Sequence, residues 1–161
     1  MLFSMTPQLF SRIDAVLKST VDRAEAKAVY LCDKGGSIIS LYSTVGQFPQ
    51  EDNMAALAAG SFFATQELAR LIGQDAFQCV FHQGQEASVY MQNMTSDMLL
   101  LIIFGRDSNA GLVRLYAKQA AKSLTGLLEE AEATAAAEAA AGGTGFQFEL
   151  DESVQPFFRT S

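Results

Sequence analysis

The apolar positions along the chain switch period several times, and the switches mark its elements. Behind Thr6, a plausible N-cap, and Pro7 at the first helical position, Leu9, Ile13, Val16, Leu17 and Thr20 recur at helical spacing, so a first helix is predicted over residues 7–23. Residues 27–32 (KAVYLC) then read as a strand. Asp33-Lys34-Gly35-Gly36 supplies a turn, and residues 37–43 (SIISLYS) return as its partner. Farther on, residues 77–82 (FQCVFH), 87–93 (ASVYMQN) and 97–104 (DMLLLIIF) read as three more strands, the last two joined across Met94-Thr95-Ser96. The unbroken apolarity of residues 98–104 predicts a strand buried on both faces, hence central in its sheet. The short strand at 77–82, flanked by turns, predicts an edge that needs cover or a partner. A last folded helix runs from 110 to about 130, with Leu112, Val113, Tyr116, Ala120, Leu124 and Leu127 toward the sheet.

Between the two sets of strands lies the stretch that organises the rest, residues 53–73 (NMAALAAGSFFATQELARLIG). Gln50, Glu51 and Asp52 bring acids to its start, where the helix macrodipole favours them, and Gly73 closes it. Met54, Leu57, Ala64, Leu68 and Ile72 form one stripe, expected to lie on the sheet. Ala55, Ala59, Phe62 and Ala69 form a second, with Gly60 and Phe63 on a third side. A helix apolar on several sides needs several partners, and a small domain offers one sheet to cover it. The second stripe therefore predicts another copy or another protein.

The order helix, two strands, helix, three strands, helix specifies an α+β sandwich, α-β-β-α-β-β-β-α, with one five-stranded antiparallel sheet. Residues 1–130 form this domain and 131–161 a distinct tail. The tail starts Ala-rich (AEATAAAEAAA), and Gly142-Gly143-Thr144-Gly145 is expected to end the last helix in a flexible joint. Beyond it Phe146, Phe148, Leu150, Val154, Phe157 and Phe158 are interleaved with acids. A segment with that many aromatics and no core of its own reads as a motif that docks on a surface.

Charge divides unevenly. From residue 129 onward seven acids (Glu129, Glu130, Glu132, Glu138, Glu149, Asp151, Glu152) face one base, Arg159, so the tail carries −6 of the total −7 and residues 1–128 stand at 10 − 11 = −1. No concentrated basic patch supports a nucleic-acid role. Arg114, Lys118 and Lys122 recur every four residues on the last helix, a pattern read as a solvated face. Cys32 and Cys79 sit in apolar runs, which suits reduced, buried thiols. The longest apolar run, residues 98–104, is far short of a membrane span and no leader pattern opens the chain, so a soluble protein of the cytoplasm without membrane insertion is expected.

No phosphate-binding glycine loop, CxxC pair or HExxH occurs, and one histidine cannot supply a multi-histidine metal site. Cys79 and His82 lie three apart on a strand and so point to opposite faces, which removes a local Cys–His dyad. The residues predict a protein that is not an enzyme and holds no cofactor or metal.

The ordered combination AAGSFFATQELARLIG, FQCVFHQG, a strand hairpin and GLVRLYAKQAAKSL resembles the Roadblock/dynein light-chain superfamily over residues 8–128, and within it the bacterial gliding-motility branch whose members activate a Ras-like GTPase. The resemblance implies a Roadblock-like sandwich acting as a homodimer, with central helices paired and short edge strands joined through Ala55, Ala59, Cys79, Val80 and Phe81. It implies a platform for the GTP form of a small GTPase at Phe62, Phe63, Gln66, Glu67 and Arg70, and a role in cell polarity or motility, at a cell pole. In that branch the activator inserts no arginine finger; it favours a GTPase conformation whose own arginine and glutamine are placed for hydrolysis. The C-terminal segment of the branch also binds the GTPase, although Pro156 departs from a helical docking mode. At Phe63 and Glu67 the branch carries small residues. Two other readings stand beside this one: a non-activating Roadblock scaffold bridging a GTPase or other Roadblock proteins, and a small-molecule sensor domain, for which no convergent polar cluster is seen.

Overall fold

The computed structural model describes residues 5–94 and 97–158, with side chains described as far as residue 141. Its elements are α1 (Pro7–Ala24), β1 (Ala28–Asp33), β2 (Ile38–Ser43), α2 (Glu51–Leu71), β3 (Cys79–His82), β4 (Ala87–Asn93), β5 (Met98–Gly105) and α3 (Ala110–Phe158). The sheet has five strands, all antiparallel neighbours, in the order β2-β1-β5-β4-β3. The element order and the sheet are those the hydrophobic pattern predicts. Thr95 and Ser96, which follow β4 in the chain, lie outside the described residues.

Strand alternation divides the core into two layers. On one face Val29, Leu31, Leu100, Ile102 and Phe104 meet α1 and α3 through Leu9, Ile13, Leu17, Val113, Ala117 and Leu124. On the other face Tyr30, Cys32, Leu99, Leu101, Ile103 and Met91 meet α2. β5 is buried along nearly its whole length on both faces, as its unbroken apolarity requires.

α1 starts as its sequence dictates: the Thr6 side chain accepts a hydrogen bond from the Leu9 N–H at 3.1 Å, with Pro7 opening the helix. α3 differs from expectation, because its backbone runs on through Gly142-Gly143-Thr144-Gly145 to Phe158. An alanine-rich run is the strongest helix former available, and each glycine costs only about 1 kcal/mol against it, so propagation outlasts the glycines. Among the described residues no helix is long and apolar enough to cross a membrane.

Candidate functional site

α2 is the helix that covers one face of the sheet among the described residues, and polar bonds hold it at both ends. Gln50 adopts a left-handed conformation (φ 55°) and makes no side-chain cap. Glu51, the first helical residue, anchors the helix start instead: its carboxylate accepts from the Phe48 N–H at 3.1 Å and from the Tyr30 hydroxyl at 2.9 Å. Glu51 is therefore buried, and the helix start is tied to the middle of β1. The β1–β2 turn presses on the next turn of α2: a Cβ on Gly36 (φ 88°) would stand 2.5 Å from the Ala56 Cα. At the other end the Gln66 amide donates to the Phe77 carbonyl at 3.3 Å and accepts from the Phe77 N–H at 2.9 Å, fixing the approach to β3.

Apart from Met54, which packs partly buried against the sheet as expected, the two stripes of α2 are the reverse of the assignment made from the pattern. Ala55, Ala59 and Phe62 are 0%, 3% and 1% exposed, and Ala69 is buried with them. Leu57, Leu68 and Leu71 are 74%, 53% and 84% exposed, and Ile72 is exposed too. Small residues let the helix backbone settle close to the sheet, and Phe62 fills the gap between them; a stripe of leucines there would hold the helix off. The apolar stripe left over is thus the outward one, where Gly60 and Ala64 also lie exposed.

This reversal sorts the candidate partner-binding residues. Phe63, Glu67 and Arg70 are exposed together along one flank of α2, with Glu67 and Arg70 joined in an ion pair. Phe62 faces its own sheet, and the partly buried Gln66 bonds the Phe77 backbone. Of the residues proposed for a dimer interface, Ala55 and Ala59 belong to the interior of the protomer. Cys79 and Val80 are half-buried and Phe81 is exposed on β3, which pairs with β4 alone and has its other edge open among the described residues. The tail residues Phe146, Phe148, Leu150, Val154, Phe157 and Phe158 lie outside the residues whose side chains are described.

Three contributors to the site were not singled out from the sequence. Glu51 reads as one more acid favouring the helix start, Tyr30 as one strand residue among several, and Gly36 as a turn glycine. Only the pairing of Tyr30 with an acid across 21 residues gives the first two their role. Burial, followed by the hydrogen bond to Glu51, raises the Tyr30 hydroxyl above its ordinary range, and burial pushes the Cys32 thiol up to about 12.

The model of the Roadblock/LC7 domain matches residues 12–104, more than half of the chain. The chain belongs to the Roadblock/LC7 family. Among solved Roadblock structures it is similar to the gliding protein MglB from Thermus thermophilus, with 30% identity and a TM-score of 0.75 over 80% of this chain and 97% of that one. It is similar also to Myxococcus xanthus MglB, with 38% identity and a TM-score of 0.70 over 75% of this chain and 98% of that one. A Roadblock/LC7 domain from Streptomyces avermitilis shares the fold at 21% identity, with a TM-score of 0.65 over 72% of this chain and 97% of that one. A Roadblock regulator related to MglB accounts for a helix whose apolar outer face has no cover among the described residues.

Proposed function

We propose that this Roadblock protein works as a homodimer that binds the GTP form of a bacterial Ras-like small GTPase and speeds its hydrolysis, in cell polarity or motility. The observation that carries the reading is the outward stripe of α2, with Leu57, Leu68 and Leu71 more than half exposed in a helix bolted to its sheet at both ends. A contiguous apolar strip on a rigid element is a docking surface. The open edge of β3 supports pairing of two sheets, and the Phe63, Glu67 and Arg70 flank offers one aromatic anchor beside a paired acid and base.

The chemistry is left to the GTPase. Binding one nucleotide state more tightly shifts the partner toward the conformation competent for hydrolysis, and differential affinity is all that such a shift needs. The test is a binding measurement against the GTPase loaded with GDP or with a non-hydrolysable GTP analogue, followed by single-turnover hydrolysis. Preference for the GTP state with faster hydrolysis is expected; equal affinity for both states overturns the activator. GTP-state preference with unchanged hydrolysis supports instead a scaffold, a reading favoured by the bulk of Phe63 and Glu67 where the related branch has small residues.

A further inference from the structure

The dimer and the platform leave one surface unused, on the opposite face of the sheet. Arg114, Lys118 and Lys122 are exposed along α3, and none of them has an ion-pair partner among the described residues. Their position on the helix is settled by the packing of its other sides. Val113, Ala117, Ala120 and Leu124 face the sheet, while Tyr116, Gln119 and Ser123 border the cleft shared with α1. The basic residues occupy the remaining flank, away from α1 and toward β4 and β3. The Arg114 charge acts on the buried Tyr90 hydroxyl of β4, which fits that placement.

An apolar group accompanies the bases. Leu115, half exposed, lies three residues from Lys118 on the same helix surface. An unpaired basic row beside an exposed Leu suits a ligand that is acidic and apolar together.

The chain itself contains such a ligand. Residues 146–158 hold Glu149, Asp151 and Glu152 and no base, and Phe146, Leu150, Val154 and Phe157 recur in the sequence at intervals of four, four and three. Three acids match three bases, and the apolar spacing is that of one helix face. α3 carries this segment away from the stripe of its own protomer. From Lys122 to Phe146 the helix rises for 24 residues, about 36 Å. The occupant that this geometry allows is the segment of another molecule.

We propose that residues 146–158 of one copy dock on the Arg114, Lys118 and Lys122 stripe of a second copy, linking protomers through a contact separate from α2 and from the β3 edge. The contact needs no GTPase, so its failure and the failure of the proposed GTPase function are seen in different experiments.

The test uses the full chain in three forms: wild type, a stripe reversal (R114E, K118E and K122E) and a tail reversal (E149K, D151K and E152K). All six positions bear exposed or tail charges, and a circular-dichroism melt verifies the fold of each form. Sedimentation velocity at about 50 mM salt is expected to show, for wild type, a larger species that dissolves at about 500 mM, where the Debye length falls below about 5 Å. Each reversal alone abolishes that species, and mixing the two reversed chains restores it, because the basic tails then meet acidic stripes. Unchanged assembly in either single reversal overturns the proposal. So does failure of the two reversed chains, once mixed, to restore the larger species, because the tail and the stripe then do not pair between molecules. Loss of GTPase or anionic-vesicle binding in the stripe reversal, with assembly unchanged, assigns the stripe to that partner and likewise overturns it.

Discussion

The Tyr30 hydroxyl donates to Glu51 Oε1 at 2.9 Å, joining the middle of β1 to the first residue of α2 inside the sheet–helix layer. Tyr30 has no exposed surface, and Glu51 is nearly as enclosed. A buried carboxylate with fewer donors costs more than a neutral bond is worth, because desolvation of the charge is no longer offset. Tyr30→Phe is therefore expected to lower stability by about 1–3 kcal/mol and to loosen the N-terminal turns of α2. A urea titration reads the first effect and amide hydrogen exchange at residues 52–56 the second. An unchanged midpoint with unchanged exchange would show the bond to be incidental.

The same layer predicts fragility toward alkali. Burial raises the Tyr30 and Tyr90 hydroxyls above their ordinary value of 10.0, with a hydrogen-bond contribution from Glu51 at Tyr30 and from Cys79 at Tyr90, and it raises Cys32 from 9.0 to about 12. The folded state holds these protons to higher pH than the unfolded state does. Their contribution is fully present below the unfolded values and is lost as pH rises through about 9 and upward. The urea midpoint is expected to be flat from about pH 7 to 8.5 and to fall steeply by about pH 10.5. In Tyr30→Phe the alkaline slope is shallower; an identical slope in wild type and variant removes Tyr30 from the account.

Gly36 and Gly46 provide a matched comparison, since both have positive φ (88° and 81°). A Cβ at Gly46 meets nothing within 4 Å, whereas at Gly36 it meets the Ala56 Cα at 2.5 Å. Gly46→Ala should cost only the left-handed backbone penalty, about 1–2 kcal/mol. Gly36→Ala should cost clearly more, because the turn or α2 has to move. Equal losses in thermal or urea unfolding would mean that the turn yields freely.

The sequence discloses the scaffold better than the site. Element order, the central place of β5 and the edge place of β3 follow from period and length, because a strand buried twice must be apolar throughout and an edge strand need not be long. The face of α2 was not legible in this way. Both of its stripes are apolar, so the amphipathic signal that normally tells inside from outside is weak. Backbone proximity decides instead, and it favours Ala55, Ala59 and Ala69 with one Phe62 as filler over a row of leucines. Gln66 looks like a surface polar residue until Phe77 arrives opposite it from 11 residues away.

The reversed face changes which substitutions separate dimer from fold. Glu in place of Ala59 buries an unpaired charge against the sheet and should unfold the protomer. Leu57→Glu or Leu71→Glu leaves the core intact, since both side chains are exposed, and should reduce association if the outward stripe is the pairing surface. Light scattering with a circular-dichroism melt distinguishes the outcomes: lower mass with a retained melt for the leucines, loss of the melt for Ala59. A full-mass complex in both leucine variants would place the dimer contact elsewhere, with the β3 edge as the next surface to test.

Phe63 is the residue on which activator and scaffold diverge. It stands 43% exposed beside the Glu67–Arg70 pair, on the flank rather than the crest of the outward stripe. An aromatic ring in that position costs solvation unless a partner covers it, and a partner with a pocket for it gains a hot-spot contact. The resemblance implies small residues at these two positions in the related branch; a Phe and a Glu would require a GTPase surface with a recess and a base. Phe63→Ala should weaken binding to the GTP-loaded partner by about 1–3 kcal/mol, the usual range for an aromatic anchor, while mass and melting behaviour stay as in wild type. Glu67→Lys should weaken it in a salt-dependent way, through repulsion of that base. Calorimetry on the three proteins decides: wild-type affinity in Phe63→Ala, or an improved one, means that the ring obstructs the GTPase rather than anchoring it, and the scaffold reading then takes precedence.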